Sequence, residues 1–135
     1  MKKINLKFNH IGLLLENNST AKKFLNYINF KKKLKSKERK QGVELEIYKR
    51  NATPSIELVS PIKNNKKIEN LLKKYKETFY HISFELKNKD DLEKIVEKFR
   101  MICILKPTHT NIFKKKITYY YLKNFGMIEF ILNYE

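Results

Sequence analysis

Two histidines and two glutamates recur at matched places in this chain of 135 residues. Phe8–Ile28 laid over Phe79–Phe99 aligns at an offset of 71, setting His10 on His81. Further on, Ile56-Glu57-Leu58-Val59 aligns with Ile128-Glu129-Phe130-Ile131 at an offset of 72, setting Glu57 on Glu129. A single indel separates the two matches. Each glutamate is flanked by apolar residues, and a carboxylate in such a run needs a partner or a metal. A pseudo-twofold relation between the halves would carry all four side chains to one point. Two imidazoles and two carboxylates suit a divalent transition ion such as Ni, Co, Mn, Fe or Zn. Four protein ligands on an octahedral ion leave two positions open, enough for both oxygens of a chelating acyl or enediolate substrate. Such a metal acts as a Lewis acid toward a developing oxyanion, and a neighbouring glutamate can move a proton on carbon.

Taken singly, none of these residues would carry this reading. One histidine near the start of a strand is ordinarily structural, and one strand glutamate ordinarily faces water. Two symmetry-matched pairs in the same order favour a site. The flanking pattern shows what must position them. Ala21, Phe24, Leu25 and Ile28 lie at i, i+3, i+4, i+7, and so do Leu92, Ile95, Val96 and Phe99 on the matched segment. That spacing gives one face of a helix in each half. Leu6–Leu15 and His81–Leu86 read as the strands before these helices. Asn18 or Ser19 caps the first helix, over about 20–29, and Asp90 or Asp91 starts the second.

After each helix come further strands. Lys31–Arg39 reads as a charged connection with an irregular strand at most. Val43, Leu45 and Ile47 alternate with Glu44, Glu46 and Tyr48 at strand period, which favours solvent for Glu44 and Glu46 and leaves open which face lines the cleft. Arg50–Pro54 turns the chain into Ser55–Ser60. A polar linker and a short helix over Ile68–Tyr75 lead to the second half. There Cys103–Leu105 is a short strand and Pro107–Lys116 an exposed loop. Ile117–Leu122 and Met127–Asn133 form a hairpin around Asn124-Phe125-Gly126. The expected class is α+β: two pseudo-symmetric βαβββ modules whose curved sheets form one metal-binding cleft. A single domain spans 1–135, with module one about 4–61, the linker and short helix about 62–77, and module two about 78–135.

Composition narrows the class further. The chain has 30 Lys+Arg against 14 Asp+Glu, a formal charge of +16, and 41% hydrophobic residues, enough for a core. The excess is almost all lysine, with Arg only at 39, 50 and 100. Arginine is the better residue for bidentate contacts to bases and phosphates. The lysines therefore read as solvated surface, with a few able to steer an anionic small molecule. No apolar run approaches the roughly 18 residues of a membrane span, and no secretory signal is apparent. The lone Cys103 rules out an internal disulfide framework and reads as core. A cytoplasmic protein is expected. Its partner would be a small anionic substrate, with no nucleic acid and no membrane, and a homodimer is a compatible state. His109 in a Thr-rich loop, the Lys114-Lys115-Lys116 run and Tyr120 or its neighbours are secondary candidates for contacting substrate.

These residues resemble the vicinal oxygen chelate superfamily, which includes glyoxalase I and methylmalonyl-CoA epimerase. The resemblance covers nearly the whole chain. It rests on His10-Ile11-Gly12, Gln41-Gly42-Val43, Ile56-Glu57-Leu58-Val59-Ser60-Pro61, His81-Ile82-Ser83-Phe84-Glu85 and Ile128-Glu129-Phe130-Ile131. Gln-Gly-Val and Glu-Leu-Val-Ser-Pro place it nearest the epimerase-like branch. The resemblance implies His10, Glu57, His81 and Glu129 as metal ligands, with Glu129 also the proton-transfer residue. The second ligand is typically Gln in epimerases and Glu in bacterial glyoxalase I, as here. Epimerases carry a second acid two residues after Gln-Gly-Val, where this chain has Leu45. The glycine-rich segment common before the final hairpin is replaced by Asn111–Lys116.

The leading expectation is a metal-dependent isomerase or epimerase-like enzyme. It would act on a small anionic carbonyl or acyl-thioester substrate through a metal-stabilised enolate and glutamate proton transfer. A glyoxalase I-type lyase is the enzymatic alternative. A non-catalytic small-molecule-binding protein on the same fold is the alternative from another class.

Overall fold

The computed structural model describes residues 3–134. The chain divides into two compact units. One runs from His10 to Tyr80; the other joins the segment up to Asn9 with the segment from His81 onward.

The first unit contains β1 (Lys7–Leu14) from His10 onward, α1 (Ser19–Tyr27), β2 (Lys31–Glu38), β3 (Val43–Lys49), β4 (Ser55–Pro61) and α2 (Lys66–Tyr75). Its strands lie in the order β2-β3-β4-β1, with β1 parallel to β4 and the other pairs antiparallel. The second contains β5 (Thr78–Leu86), α3 (Lys89–Phe99), β6 (Ile102–His109), β7 (Lys116–Leu122) and β8 (Gly126–Leu132). Its order is β5-β8-β7-β6, again with one parallel pair, β5 and β8. Strand, helix and three strands are thus built twice. The class is α+β, as the internal repeat implies.

Helices α1 and α3 each bury one stripe against one face of their own sheet. Leu25 of α1 packs with Leu15, Phe30, Tyr48 and Leu58. Leu92 of α3 packs with Leu86, Met101, Ile128 and Phe130. Phe24 and Phe99, expected on the same stripes, are 60% and 52% exposed. They lie at the margins of stripes narrower than the i, i+3, i+4, i+7 pattern admits. The caps also differ from expectation. Asn18 flanks α1, yet its side chain makes no cap bond and donates to Glu46 instead. Asn88, rather than Asp90 or Asp91, caps α3 by accepting from the Asp90 amide. The two aspartates occupy the first turn, where negative charge complements the helix dipole.

The segments flanking β3 and β7 are more regular than their composition suggests. Lys31–Glu38 is a full edge strand with an irregularity between Lys32 and Leu34. Strand β6 runs through Pro107 to His109, so the exposed loop expected from Pro107 is confined to 110–115. Proline is tolerated there because β6 is an edge strand and needs no amide donor on its open side. Cys103, expected in the core, is exposed on β6. Its register partner is Tyr120, whose phenol is pushed up by burial and by Cys103. Within the 110–115 loop, Thr110 and Ile112 are buried, and Thr110 bonds through both its amide and its hydroxyl to the Lys115 carbonyl.

Gln41-Gly42-Val43 owes its glycine to the turn between β2 and β3. Gly42 has φ of +69°, a left-handed conformation that strains any residue with a Cβ. The side-chain amide of Asn65 crosses the same place, donating to the Gly42 and Gln41 carbonyls while its oxygen caps α2 at Ile68. A Cβ on Gly42 would stand 2.5 Å from that amide nitrogen.

Candidate metal centre

His10 is the fourth residue of β1, and His81 is the fourth of β5. In the parallel pair β1/β4, Gly12 lies opposite Glu57; in β5/β8, Ser83 lies opposite Glu129. Residues two apart on a strand share a face, as do cross-strand partners. His10 and Glu57 therefore share one face of the first sheet, and His81 and Glu129 share the equivalent face of the second. On each sheet the helix covers the opposite face, which carries Leu58 in one unit and Phe130 in the other. The repeat seen in sequence is thus a repeat of strand register.

Within the first unit, Nε2 of His10 lies 3.5 Å from Oε1 of Glu57. Within the second, Nε2 of His81 lies 3.9 Å from Oε1 of Glu129. Exposure is 0% for His10, 1% for Glu57, 4% for His81 and 3% for Glu129. Both separations exceed the roughly 2.7–3.2 Å of a good N–H···O bond. Ligand bonds of about 2.0–2.2 Å set neighbouring ligand atoms about 3.0–3.5 Å apart around a metal. The His10–Glu57 pair fits that spacing, and the His81–Glu129 pair is a few tenths of an ångström wider. Imidazole and carboxylate are ligands of choice for divalent transition ions, and buried carboxylates call for a cation. In each unit one buried imidazole and one buried carboxylate, His10 with Glu57 and His81 with Glu129, make a donor pair that fits such an ion.

The remaining positions on these faces are now fixed. Ile47 is the partner of Glu57 and Leu45 the partner of Val59, so Leu45 and Ile47 share the Glu57 face. Glu44 and Glu46 lie on the other face. Glu46 does not face solvent as expected: it is 2% exposed beneath α1, with Lys22 Nζ at 3.1 Å and Lys35 Nζ at 3.6 Å. No acid stands at the place where the resemblance calls for a second one. Tyr119, not Tyr120, is the register partner of Glu129. Its ring stacks at 5.3 Å from His81, while Tyr120 turns to the helix side against Phe130. His109 ends β6 on the surface, and Lys114–Lys116 are exposed.

Three residues on these faces escaped sequence reasoning. Glu38, at the end of β2, is buried and accepts from Ser36; its signal was being the one acid among the lysines of that strand. Ser83 is buried between His81 and Glu85 along β5. Glu85 accepts from the Asn9 and Asn133 amides, each at 2.9 Å, with Lys7 at 3.6 Å. Burial pushes the Glu85 carboxyl up, but those amides and Lys7 outweigh burial and hold it below its ordinary value.

Residues 9–109 match the Glyoxalase/Bleomycin resistance protein/Dioxygenase superfamily. The match spans well over half of the chain, and the chain belongs to that superfamily. Its members typically bind a divalent metal. Among solved structures, a hypothetical protein from Bacillus halodurans superposes with a TM-score of 0.81 at 18% identity, covering 98% of this chain and 97% of that one. A Streptomyces coelicolor methylmalonyl-CoA epimerase variant in complex with 2-nitronate-propionyl-CoA gives 0.80 at 19% identity, covering 95% and 98%. The Mycobacterium tuberculosis methylmalonyl-CoA epimerase gives 0.81 at 13% identity, covering 98% and 92%. At these identities the likeness is one of fold. Comparison with curated protein sequences found no match. Among the described residues, no helix is long and apolar enough to cross a membrane.

Proposed function

We propose that the chain is a divalent-metal-dependent isomerase of the epimerase-like kind, acting on a small anionic carbonyl or acyl-thioester substrate. His10, Glu57, His81 and Glu129 hold one ion. The observation that carries this reading is the buried His–Glu pair built twice at the same strand register. When bound, the ion supplies Lewis acidity toward substrate oxygens. The chain's own part is to orient the imidazoles, to exclude water through burial, and to move the α-proton on the Glu129 carboxylate. Likeness in fold to epimerases supports the reaction class.

Elemental analysis of purified protein, with His10→Ala beside it, tests the reading. One divalent ion per chain is expected, lost in the variant together with the rise in melting temperature that added metal gives the wild type. Metal-free wild-type protein, with melting indifferent to both added metal and His10→Ala, overturns it.

A glyoxalase I-type lyase is the second reading, favoured by the identity of Glu57 and by Leu45 on the Glu57 face. Conversion of a hemithioacetal without epimerisation of an acyl-CoA would select it.

A further inference from the structure

We propose that Ser83 is a substrate-binding residue that donates its hydroxyl to an oxygen of the bound substrate. The proposal rests on the metal-dependent reading above and deepens it.

Ser83 is 0% exposed, and its Oγ has no hydrogen-bond partner among the described residues. A buried hydroxyl left unmade is costly, and nearly all such groups in native proteins are paired. Ser83 sits beside the candidate ligands: directly across from Glu129 in the β5/β8 pair and two residues beyond His81 on β5. All three share a face with Tyr119. A donor without a partner, placed there, awaits an acceptor that arrives with the ligand.

The repeat sharpens the assignment. At the equivalent place in the first unit stands Gly12, opposite Glu57. Both metal-ligand types, His and Glu, recur in the two halves, while the hydroxyl occurs in only one. The symmetric ligand set cannot by itself tell one end of a chelating substrate from the other. Ser83 supplies the difference: the end that carries a further oxygen acceptor is drawn to the Glu129 side. The substrate class implied has three oxygens close together, a chelating pair and one more, as in a 2-oxo acid or a carboxylate beside a carbonyl.

A serine kept for ligand binding at the expense of stability has a signature that a structural serine lacks. The experiment uses full-length wild type, Ser83→Ala and Ser83→Cys. Cysteine retains the shape but offers only a weak donor. Three quantities are read: melting temperature without metal, affinity for Co(II) by its visible spectrum, and affinity of the Co(II) protein for oxalate, an inert probe that offers further oxygen acceptors beside a chelating pair.

Both variants should melt at or above the wild-type temperature and bind Co(II) within about twofold of it. Oxalate affinity should fall about tenfold, which corresponds to about 1.4 kcal/mol. Unchanged oxalate affinity in Ser83→Ala, with Co(II) bound as in wild type, overturns the role of Ser83 alone. So does a lower melting temperature with unchanged oxalate affinity, which marks a structural hydroxyl. A wild type without a Co(II) spectrum overturns the metal reading and this inference with it.

Discussion

Replacing Gly42 by alanine tests whether Gln-Gly-Val is a device of the fold or of the site. The glycine has φ of +69°, and placing alanine there costs about 1 kcal/mol or slightly more. The new Cβ would also stand 2.5 Å from Nδ2 and 3.2 Å from Cγ of Asn65. A free surface amide would swing aside at little cost. This one is tied at 2.8 Å to the Gly42 carbonyl, at 3.3 Å to that of Gln41, and through its oxygen to the Ile68 amide. Displacing it removes the α2 cap, worth about 1 kcal/mol, and weakens two further bonds. The expected total for Gly42→Ala is about 2–3 kcal/mol by urea denaturation. Asn65→Ala alone should cost about 1–2 kcal/mol. In the double variant the clash is gone, so the costs should fall short of additivity by about 1 kcal/mol. Strict additivity would refute the account, since the two residues would then act independently. So would loss of metal binding in Gly42→Ala under conditions where the variant remains folded.

Three further outcomes are expected. Lys22→Met leaves the buried Glu46 with the Asn18 amide and, as its cation, the more distant Lys35, and should cost about 2 kcal/mol. Replacing Glu46 as well, in Lys22→Met/Glu46→Met, should recover most of it; a double variant no more stable than the single would refute this. Glu85 is held below its ordinary value of 4.5, so its contribution is present above that value and is lost as pH falls through the depressed folded one. Melting temperature should therefore fall less steeply below about pH 4.5 in Glu85→Gln than in wild type, and equal slopes would count against the Asn9–Glu85–Asn133 network. Glu57→Gln removes a buried charge but keeps a ligand oxygen. Its metal-free form should melt above wild type and its Co(II) affinity should fall about tenfold, or about 1.4 kcal/mol, whereas an unchanged affinity would remove Glu57 from the ligand set.

What the sequence disclosed and what it hid follow from one feature of the sheets: inner strands are buried on both faces while edge strands are exposed. Period-2 alternation sorts residues into two faces but does not say which face meets water. In β3 the acidic face, carrying Glu46, lies beneath α1, and the apolar face with Leu45 and Ile47 is the one shared with Glu57. The usual rule of apolar in and polar out therefore misplaced Glu46. In β6 the same ambiguity misplaced Cys103, because an apolar run on an edge strand can be left exposed. The matched pairs escaped this ambiguity. Their evidence was a repeat of residue type and spacing, and a parallel register turns equal spacing into equal position. Ser83 shows the complementary limit. Its neighbours His81 and Glu85 announce a polar face, yet only burial without a partner separates a ligand-seeking hydroxyl from an ordinary one.

The same distinction divides the motifs behind the family resemblance. Gly42 is required by a left-handed turn and by the passage of the Asn65 side chain. Gln-Gly-Val, the segment that pointed toward the epimerase-like branch, is thus explained by the fold alone. A lyase or a binding protein with the same β2–β3 turn would need the same glycine. The choice between activities falls instead to side chains on the site faces. There the chain has Glu57 where the resemblance leads one to expect glutamine, and Leu45 where it leads one to expect an acid. With Leu45 only 5% exposed on that face, a second base can come only from another residue or from the substrate itself. If no other residue supplies it, epimerisation under the proposed reading would move both protons through Glu129, or through a water held beside it. That arrangement predicts partial retention of label in deuterated solvent, whereas two opposed bases would exchange it fully. A single-turnover measurement on an acyl-thioester substrate that found complete solvent exchange would show that a second base exists elsewhere than at Leu45.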